Sequence, residues 1–320
     1  MSQPVLHLLP RSMICRPVNT RPAALMSLLR RILTPAGALA GTLAAILSQA
    51  IAAESVTHWA PPRIASPLFE SHAAFDPLTG DLLFVRSSKE FKGWHILTSR
   101  CGPQGWTEPR PAPFAAPGLE ADPFFTPDGR WLYFISTRAS GSSSGHDLDI
   151  WRIQRNSARH WGKPERLPDP VNSPGAEWFP RPAADGWLYF GSDRSGGQGK
   201  TDIWRARMDS RAQWHVENLG PSINGPGNEY EALPSPDGKR LIIEADEGYF
   251  ESDLSGDTWS PRHRLGPEIN VNGTEVGAVF SPSGRSLLFA RDLQGNDSGE
   301  IFLWQPDGPE AWPPSCPRPG

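Results

Sequence analysis

Short apolar runs separated by turn sequences recur along most of the chain. Five turns end in a glycine, and these glycines lie 49, 57, 52 and 46 residues apart, at Gly80, Gly129, Gly186, Gly238 and Gly284. An apolar run follows each turn, as Leu132-Tyr133-Phe134 follows Thr126-Pro127-Asp128-Gly129. Pro fixes φ at the first corner of such a turn, and Gly takes the left-handed position. The pattern therefore predicts one β-hairpin in each of five repeats.

Each repeat carries signals for two further strands. The third strand is clearest at Asp149-Ile150-Trp151 and Asp202-Ile203-Trp204, and the fourth is marked by a Trp before a Pro/Arg-rich run, as in Trp106-Thr107-Glu108-Pro109-Arg110. Four short strands in a unit of about fifty residues, without helical periodicity, are typical of a propeller blade. We therefore predict an all-β fold, a five-bladed β-propeller of four-stranded antiparallel blades, as a single domain over residues 54–320.

Closure of the ring is predicted from a strand signal that stands outside the repeats. Trp59-Ala60-Pro61-Pro62-Arg63 matches the fourth-strand pattern but precedes the first hairpin. We expect this N-terminal strand to close the last blade, with Trp312-Pro313-Pro314 as the competing candidate. Cys101 and Cys316 then come near each other, and they either form a disulfide that staples the ring or remain two free thiols.

Residues 1–53 have the composition of a leader. They contain five Arg and no Asp, Glu or Lys, and from Ile32 to Ala53 the chain has no charged residue. A basic start, an apolar middle and the small residues Ala50-Ile51-Ala52-Ala53 predict a signal peptide, with a retained membrane anchor as the alternative. We expect a periplasmic or secreted protein with no transmembrane anchor after cleavage.

Removal of the leader changes the charge of the protein. The formal charge of the whole chain is −4, and loss of the five leader Arg leaves 26 basic and 35 acidic residues, a formal charge of −9. Such a surface disfavours nucleic acid as a partner. The sequence indicates no cofactor, and we expect a monomer.

The third repeat carries the most specific local pattern. Its run from Leu188 through Ser192-Asp193-Arg194 to Asp202-Ile203-Trp204 resembles the WD40-like propeller repeat known as PD40. That repeat occurs in TolB-like periplasmic propellers and in propellers attached to peptidoglycan-binding modules. The resemblance covers roughly residues 65–305, and the fourth repeat departs from it with Glu244-Ala245-Asp246-Glu247 after Ile243. It implies a propeller used mainly for protein contact in the cell envelope.

An acidic residue recurs nine or ten positions before each turn glycine. We call these five residues the ring glutamates: Glu70, Glu120, Glu177, Glu229 and Glu275. In a closed ring they fall on one circle near one end of the channel, where they form either a cation site or polar anchors. The structural alternative is that each one bonds turn N–H groups or pairs with an Arg from a neighbouring blade, such as Arg138, Arg194 or Arg291. We favour that alternative, because a residue repeated in every blade more often holds blades together.

Residues that break the repeat close to this circle are better candidates for a ligand site. Six of them follow a ring glutamate by one to four positions and differ between blades: His72, Asp122, Trp178, Arg181, Tyr230 and Glu231. Aromatic, basic and acidic side chains together are suited to a sugar or a peptide segment. The alternative is that they only line a wet channel.

Three local motifs are rejected as sites. Gly141-Ser142-Ser143-Ser144-Gly145 has nucleophile-elbow spacing but lies in a loop between two predicted strands. Gly199-Lys200-Thr201 has the end of a phosphate-loop motif without its first glycine or a following helix. His146, Asp147 and Asp149 are close in sequence, but Asp149 belongs to the repeated strand. We therefore predict no metal site and no catalytic residue.

Two function classes follow from the sequence. The first is an exported, non-catalytic propeller that binds an envelope protein or a glycan through its channel mouth or face. The alternative is a carbohydrate-active enzyme, a glycoside hydrolase or lyase with acidic residues in a central funnel, and it rests on analogy of fold. An enzyme needs an acidic pair with one raised pKa, and Glu231 beside Glu229 is the only hint of one. We therefore expect binding rather than catalysis.

Overall fold

The protein is a five-bladed β-propeller, as the repeats predict. The computed structural model describes residues 56–140, 147–271, 273–292 and 299–316. The expected leader, the motif at residues 141–145 and His146 lie outside these ranges. Within them every regular element is a β-strand, and the strands form one antiparallel sheet for each blade and a small two-stranded sheet in the first blade.

Within each blade the strands run in chain order from the central channel to the outer edge. The N-terminal strand is β1 (Val56–His58). The first blade contains β2 (Phe69–Phe75), β3 (Leu82–Ser87), β4 (His95–Ser99), the small hairpin β5 (Cys101–Gly102) and β6 (Gly105–Trp106), and β7 (Arg110–Pro111). The second contains β8 (Glu120–Phe125), β9 (Trp131–Ser136), β10 (Asp149–Ser157), β11 (His160–Trp161) and β12 (Glu165–Arg166). The third contains β13 (Glu177–Pro182), β14 (Leu188–Ser192), β15 (Asp202–Met208) and β16 (Trp214–Asn218). The fourth contains β17 (Glu229–Pro234), β18 (Arg240–Ala245), β19 (Gly248–Ser255), β20 (Thr258–Trp259) and β21 (His263–Arg264), and the fifth contains β22 (Glu275–Phe280), β23 (Leu287–Asp292) and β24 (Gly299–Trp304).

The N-terminal strand closes the ring, which confirms that prediction. β1 pairs antiparallel with β24, with Val56 opposite Trp304 and His58 opposite Phe302. The competing segment at Trp312 forms no strand and packs its ring against Phe75 at 5.8 Å. Cys101 and Cys316 form a disulfide with Cα atoms 5.2 Å apart. The first strand of the propeller and the segment that ends at Cys316 are thus both fixed at the junction of the first and fifth blades.

Proline shapes the outermost strands. In blades one, two and four the signal Trp is followed within three residues by Pro109, Pro164 or Pro261, and the outer edge is split into two short pieces there. Proline has no N–H to donate to the ladder. Blade three has no proline at this point, and its outer strand β16 runs unbroken for five residues.

The hairpin turns form as their chemistry predicts. In the second blade Gly129 has φ 67°, and its N–H donates to the carbonyl of Thr126 at 2.8 Å. Asp128 accepts a hydrogen bond from the N–H of Arg130 at 3.0 Å. Each of the five turns joins the inner strand of its blade to the second strand. All five therefore project at the end of the ring where the inner strands finish.

Buried asparagines anchor three of the loops that lead from one blade to the next. Asn172 accepts from the N–H of Ile150 at 2.7 Å and donates to the carbonyls of Ile150 and Leu167 at 3.0 and 2.8 Å. Asn224 and Asn270 bond Ile203 and Tyr249 in the same way. Each asparagine stands five residues before a ring glutamate.

The core lies between the faces of neighbouring blades. Its largest cluster joins the first three blades and includes Ile96, Phe134 and Phe190, none of which has exposed surface. In the part of the chain that the structure describes, no helix has the length and apolar character to cross a membrane.

Candidate functional site

The ring glutamates are anchored by arginines of their own blades. Each begins an inner strand or lies one residue inside it, and each is almost fully buried. Glu70 pairs with Arg86 at 2.6 Å, Glu229 with Arg262 at 2.7 Å and Glu275 with Arg291 at 2.9 Å. Two further pairs complete the set: Glu120 with Arg138, and Glu177 with Arg194. The arginine comes from the same blade rather than from a neighbouring one. In four blades it lies in or just after the second strand, which runs beside the glutamate, and in blade four Arg262 reaches Glu229 from between the two outermost strands.

Each glutamate–arginine pair also fixes the loop that enters its blade. Glu70 accepts from the N–H of Ser66, four residues earlier, at 3.1 Å, while Arg86 donates to the carbonyl of Ile64 at 2.8 Å. Glu275 and Arg291 repeat the pattern with Val271 and Ile269. Within the described residues no group of three or more His, Cys, Asp or Glu side chains could hold a metal ion. These contacts support an anchoring role.

A bulge in the inner strand begins one residue after the ring glutamate in blade four and two residues after it in the other blades. The pairing of the inner strand with the second strand shifts register at this point in all five blades. His72, Asp122 and Phe179 have φ of 52°, 55° and 48°, and Gly277 has φ 66°. Left-handed φ costs a non-glycine residue about 1 kcal/mol or more, so surrounding contacts must hold it. A Cβ on Gly277 would lie 2.9 Å from the His72 ring, and only glycine fits there.

Side chains from four blades meet at the bulges and form what we call the plug: His72, Asp122, Phe179, Arg181, Glu231 and Glu244. His72 Nε2 lies 3.1 Å from Asp122 Oδ1, and its ring stacks on Phe179 at 5.2 Å. Asp122 Oδ2 accepts from the N–H of Phe179 at 2.8 Å. Arg181 Nε donates to Glu231 Oε1 at 2.6 Å, and Glu231 Oε2 accepts from the N–H of Ala278 at 3.2 Å. The channel is therefore blocked by a hydrogen-bonded centre.

Burial governs the protonation of the plug. It lowers the pKa of His72 to about 3, with the charge of Arg181 adding to the effect. It raises the pKa of Asp122 to about 7, against the influence of Arg181 and of the Phe179 N–H. Burial also raises the pKa of Glu231, and burial together with the charge of Glu231 raises the pKa of Glu244 well above its usual range. Burial therefore favours the neutral forms of His72, Asp122 and Glu244, while Glu231 lies at ion-pair distance from Arg181.

Asp122→Asn and His72→Gln should change the pH dependence of the free energy of unfolding in opposite directions. In the folded protein the pair holds one proton between about pH 3 and pH 7, on Asp122. In the unfolded chain, with ordinary pKa values of 6.5 and 3.8, it also holds one proton between these values, on His72. The intact pair therefore contributes no slope in this window.

Asp122→Asn leaves His72 alone, which binds a proton below pH 6.5 only when unfolded. We expect the stability of this variant, relative to wild type, to fall by about 1.4 kcal/mol per pH unit as pH is lowered from 6.5 towards 4. His72→Gln leaves Asp122, so its relative stability should fall at a similar rate as pH rises over that window. Urea unfolding at several pH values measures both slopes, and slopes of equal sign would contradict the assignment.

A serine–histidine–aspartate chain runs through the plug without the access that hydrolysis needs. Ser71 Oγ lies 2.6 Å from His72 Nδ1, on the side opposite Asp122. Ser71 has no exposed surface, and His72 and Asp122 are 5 and 2% exposed. A nucleophile must reach the substrate carbon at about 3 Å. Because they are buried in this way, we assign Ser71, His72 and Asp122 a structural role in the plug.

The plug separates a small cup from a wide funnel. The cup encloses about 20 Å³ on the ring-glutamate side, and Trp178 and Tyr230 line it together with His72 and Asp122. A water molecule needs at least 10–15 Å³ by this measure, so the cup has room for about one. The structure therefore brings the six predicted ligand residues together around the axis, with Arg181 and Glu231 behind the cup in the plug.

The funnel opens at the end where the hairpin turns project and encloses about 480 Å³. All five blades contribute to it through the last residues of their inner strands and the turns that follow. Its apolar wall consists of these residues: Ala74, Phe75, Phe124, Phe125, Leu233, Val279, Phe280, Trp312 and prolines 77, 127, 182, 234, 236, 282 and 314. Leu78, 60% exposed, lies in the turn beside it. A volume of this size is typical of ligand sites.

Two features of the channel were not predicted, although the sequence carries a signal for one. Glu244 occupies the position held by Val85, Ile135, Gly191 and Ala290 in the other blades, so it is the one charged residue of its set. The same search for broken symmetry that selected Arg181 would have found it. The funnel gives no such signal, because its residues are ordinary strand ends and turn prolines.

Comparison with known proteins shows no family for this chain. No family model matches the chain. An uncharacterised protein of Agrobacterium fabrum is 28% identical over 125 residues, which span 38% of this chain and only 38% of that relative. Among solved structures, TolB from Acinetobacter baumannii is 18% identical, with a TM-score of 0.41, over 72% of this chain and 53% of TolB. A gluconolactonase from Xanthomonas campestris is 12% identical, with a TM-score of 0.46, over 80% of this chain and 92% of that enzyme. An α-L-arabinanase from Penicillium chrysogenum is 14% identical, with a TM-score of 0.45, over 78% of this chain and 97% of that enzyme.

Proposed function

We propose that the protein is a non-catalytic binding propeller that takes an apolar segment of a partner protein in its funnel. The observation that carries this proposal is the funnel itself, about 480 Å³ of largely apolar space to which every blade contributes. The plug forms its floor, so a ligand enters from the turn side and does not pass through the ring. Apolar surface exposed in a concave site is characteristic of ligand and protein binding.

The polar groups in the funnel wall favour a protein segment over a glycan. Asp76 is engaged by Arg155 and Thr79, and the hydroxyls of Thr126 and Ser235 donate to Asp128 and Asp237 of their own turns at 2.6 Å. The wall prolines have no N–H to offer. Sugar hydroxyls buried here would lose their hydrogen bonds to water without replacement, which costs about 1–3 kcal/mol each. Apolar side chains incur no such cost.

The net charge of the propeller indicates the flanks of the segment. The turns around the funnel carry both signs, because exposed Asp128 and Asp237 are followed two residues later by exposed Arg130 and Lys239. Residues 54–320 carry a formal charge of −9, with 26 basic and 35 acidic residues. We therefore expect a partner segment with an apolar centre and Lys or Arg on either side, since opposite charges speed and orient association.

The disulfide supports an oxidising location. A bond between Cys101 and Cys316 persists in the periplasm or outside the cell and is rare in the cytosol. This agrees with the leader expected at residues 1–53, and we propose an exported protein of the cell envelope on both grounds.

A glycoside-cleaving enzyme is the second candidate. It is favoured by Glu244, whose pKa is raised well above its usual range by burial and by the charge of Glu231, because an acidic catalytic pair needs one carboxyl with a raised pKa. The two side chains are 1 and 3% exposed, so a sugar would have to displace the plug to reach them. Turnover of a glycan panel that disappears in Glu244→Gln would establish this alternative.

A matched pair of valine substitutions tests the funnel. Val279 lines it, whereas Val271 is 61% exposed on the loop before Glu275, at the other end of the inner strand. On an array of hexapeptides with apolar centres and Lys flanks, Val279→Asp should weaken binding at least tenfold, because a carboxylate in apolar contact is desolvated. Val271→Asp should bind as wild type.

Thermal melts of both variants identify any loss of fold, and Val279→Thr, of the same shape, repeats the test with a smaller change. Peptide binding that is weakened equally by Val271→Asp, or absent from the wild type on the whole array, would contradict the proposal.

A further inference from the structure

The C-terminal segment of the propeller crosses from the fifth blade to the first. We call residues 305–316, which follow β24, the strap. Glu310 accepts a hydrogen bond from Ser283 Oγ at 2.6 Å and pairs with Arg285 at 3.4 Å, both in the turn of blade five. Trp312 then contacts Phe75 of blade one, and Cys316 ends the strap in the disulfide with Cys101.

The strap forms part of two cavities. On one side Trp312 and Pro314 complete the wall of the funnel. On the other side Pro314, Ser315 and Cys316 line a groove of about 390 Å³, whose opposite wall includes Trp59, Gln104 and Trp106. The disulfide therefore holds in place a wall that the funnel and the groove share.

The groove gives a thiol access to one of the two sulfur atoms. Both cysteines are partly buried, but only Cys316 lines the groove, and Cys101 is absent from its lining. Thiol–disulfide exchange requires a thiolate to reach a sulfur atom, so access selects which sulfur is attacked. A groove bordered by tryptophans and prolines is also suited to an extended peptide.

We infer that this groove is a thiol–disulfide exchange site, at which a dithiol protein reduces Cys101–Cys316 and so releases the strap from the funnel. One thiolate of the dithiol attacks Cys316 Sγ, the bond between the two protein sulfurs breaks, and Cys101 leaves as a thiolate that takes up a proton. The second thiol of the dithiol then attacks the mixed disulfide, which frees Cys316 as a thiol and leaves the dithiol oxidised. Two electrons pass from the dithiol to the propeller.

Release of the strap follows from what else holds its end. Among the described contacts of residues 311–316, the disulfide is the covalent one and the packing of Trp312 is the principal ring contact. Without the bond, the end of the strap is held by the noncovalent contacts of Glu310 and the packing of Trp312 on Phe75, and we expect Trp312 and Pro314 to leave the funnel wall for part of the time. The consequence for binding rests on the proposed function; the exchange site itself does not.

A trapping experiment tests the site of attack. Glutathione, which completes the reduction only when a second molecule attacks, is incubated in limiting amount with the oxidised protein, the exchange is stopped with acid, and the mixed disulfide is mapped by peptide mass. We expect glutathione on Cys316, with Cys101 as the free thiol. Attachment mainly to Cys101, or to both cysteines equally, would overturn the assignment.

A second experiment measures the strap and the funnel separately. Hydrogen exchange of residues 311–316 should accelerate at least tenfold when dithiothreitol reduces the wild-type protein, and unreduced Cys101→Ser/Cys316→Ser should exchange at the same fast rate. The affinity for the best hexapeptide of the array should fall about tenfold in both cases. Dithiothreitol should leave the double variant unchanged, which controls for effects of the reagent.

The two proposals fail in different ways. Unchanged hydrogen exchange at residues 311–316 after complete reduction would overturn the release of the strap and leave the funnel proposal standing. Faster hydrogen exchange in a protein that binds no array peptide would support the release of the strap and contradict the proposed function. Faster hydrogen exchange with unaltered peptide affinity would show that release of the strap does not affect binding in the funnel.

Discussion

Arg181→Met should destabilise the protein by about 3–5 kcal/mol, because it removes the positive charge from a plug that contains Asp122, Glu231 and Glu244. The Arg181 side chain is 2% exposed and lies 2.6 Å from Glu231. It also lies over the Phe124 and Phe179 rings at 4.6 and 5.3 Å. Met preserves much of this packing, so the loss reports the unpaired carboxylate.

Two companion variants make the test specific. Glu231→Gln added to Arg181→Met should recover at least 1 kcal/mol, since it removes the charge that lost its partner. Arg207→Met, at an exposed arginine of the same blade that stacks at 5.5 Å on Trp187, should stay within about 0.5 kcal/mol of wild type. Denaturant unfolding at pH 7 measures all three. If the double variant were less stable than Arg181→Met, the unpaired charge of Glu231 would not be the cause of the destabilisation.

Asn172→Ala should cost about 2–4 kcal/mol through the backbone rather than through packing. It leaves the N–H of Ile150 without its partner and takes one of two donors from the carbonyls of Ile150 and Leu167. A buried polar group that loses its partner costs about 1–3 kcal/mol, and a hydrogen bond to a group that keeps another partner contributes about 1 kcal/mol. Urea unfolding monitored by tryptophan fluorescence gives the value.

The matched control is Asn156→Ala, at an exposed asparagine near the end of β10, which should change stability by less than about 0.5 kcal/mol. Asn172→Asp, nearly identical in shape, can accept from Ile150 but cannot donate, so it should also be strongly destabilised. If Asp were tolerated, the donated hydrogen bonds would not be the source of the stability.

Repetition is what made the architecture predictable. Five turns of one chemistry fixed the number of blades, and a strand signal at Trp59 without a hairpin of its own identified the closing strand. The circle of glutamates followed from equal spacing alone. Their arginine partners were assigned to neighbouring blades because spacing along the chain does not show which side chain bends back across its own hairpin.

The channel was predictable only where the repeat is broken. His72, Asp122, Arg181 and Glu231 were selected because they differ between blades, and the structure brings them into one buried network. Their burial was not foreseen, since it depends on bulges that turn these side chains inward. The funnel was missed because its wall consists of residues that look alike in every blade and acquire meaning only when the five copies face one another.

Pairing between β1 and β24 also dictates the order in which the molecule can be completed. Blades one to four are each made from one contiguous stretch, so they can assemble while synthesis continues. The fifth sheet needs Val56 beside Trp304, residues from opposite ends of the propeller. Until β24 has left the ribosome, β1 has no partner strand and the torus stays open. The ring therefore closes in a single late step.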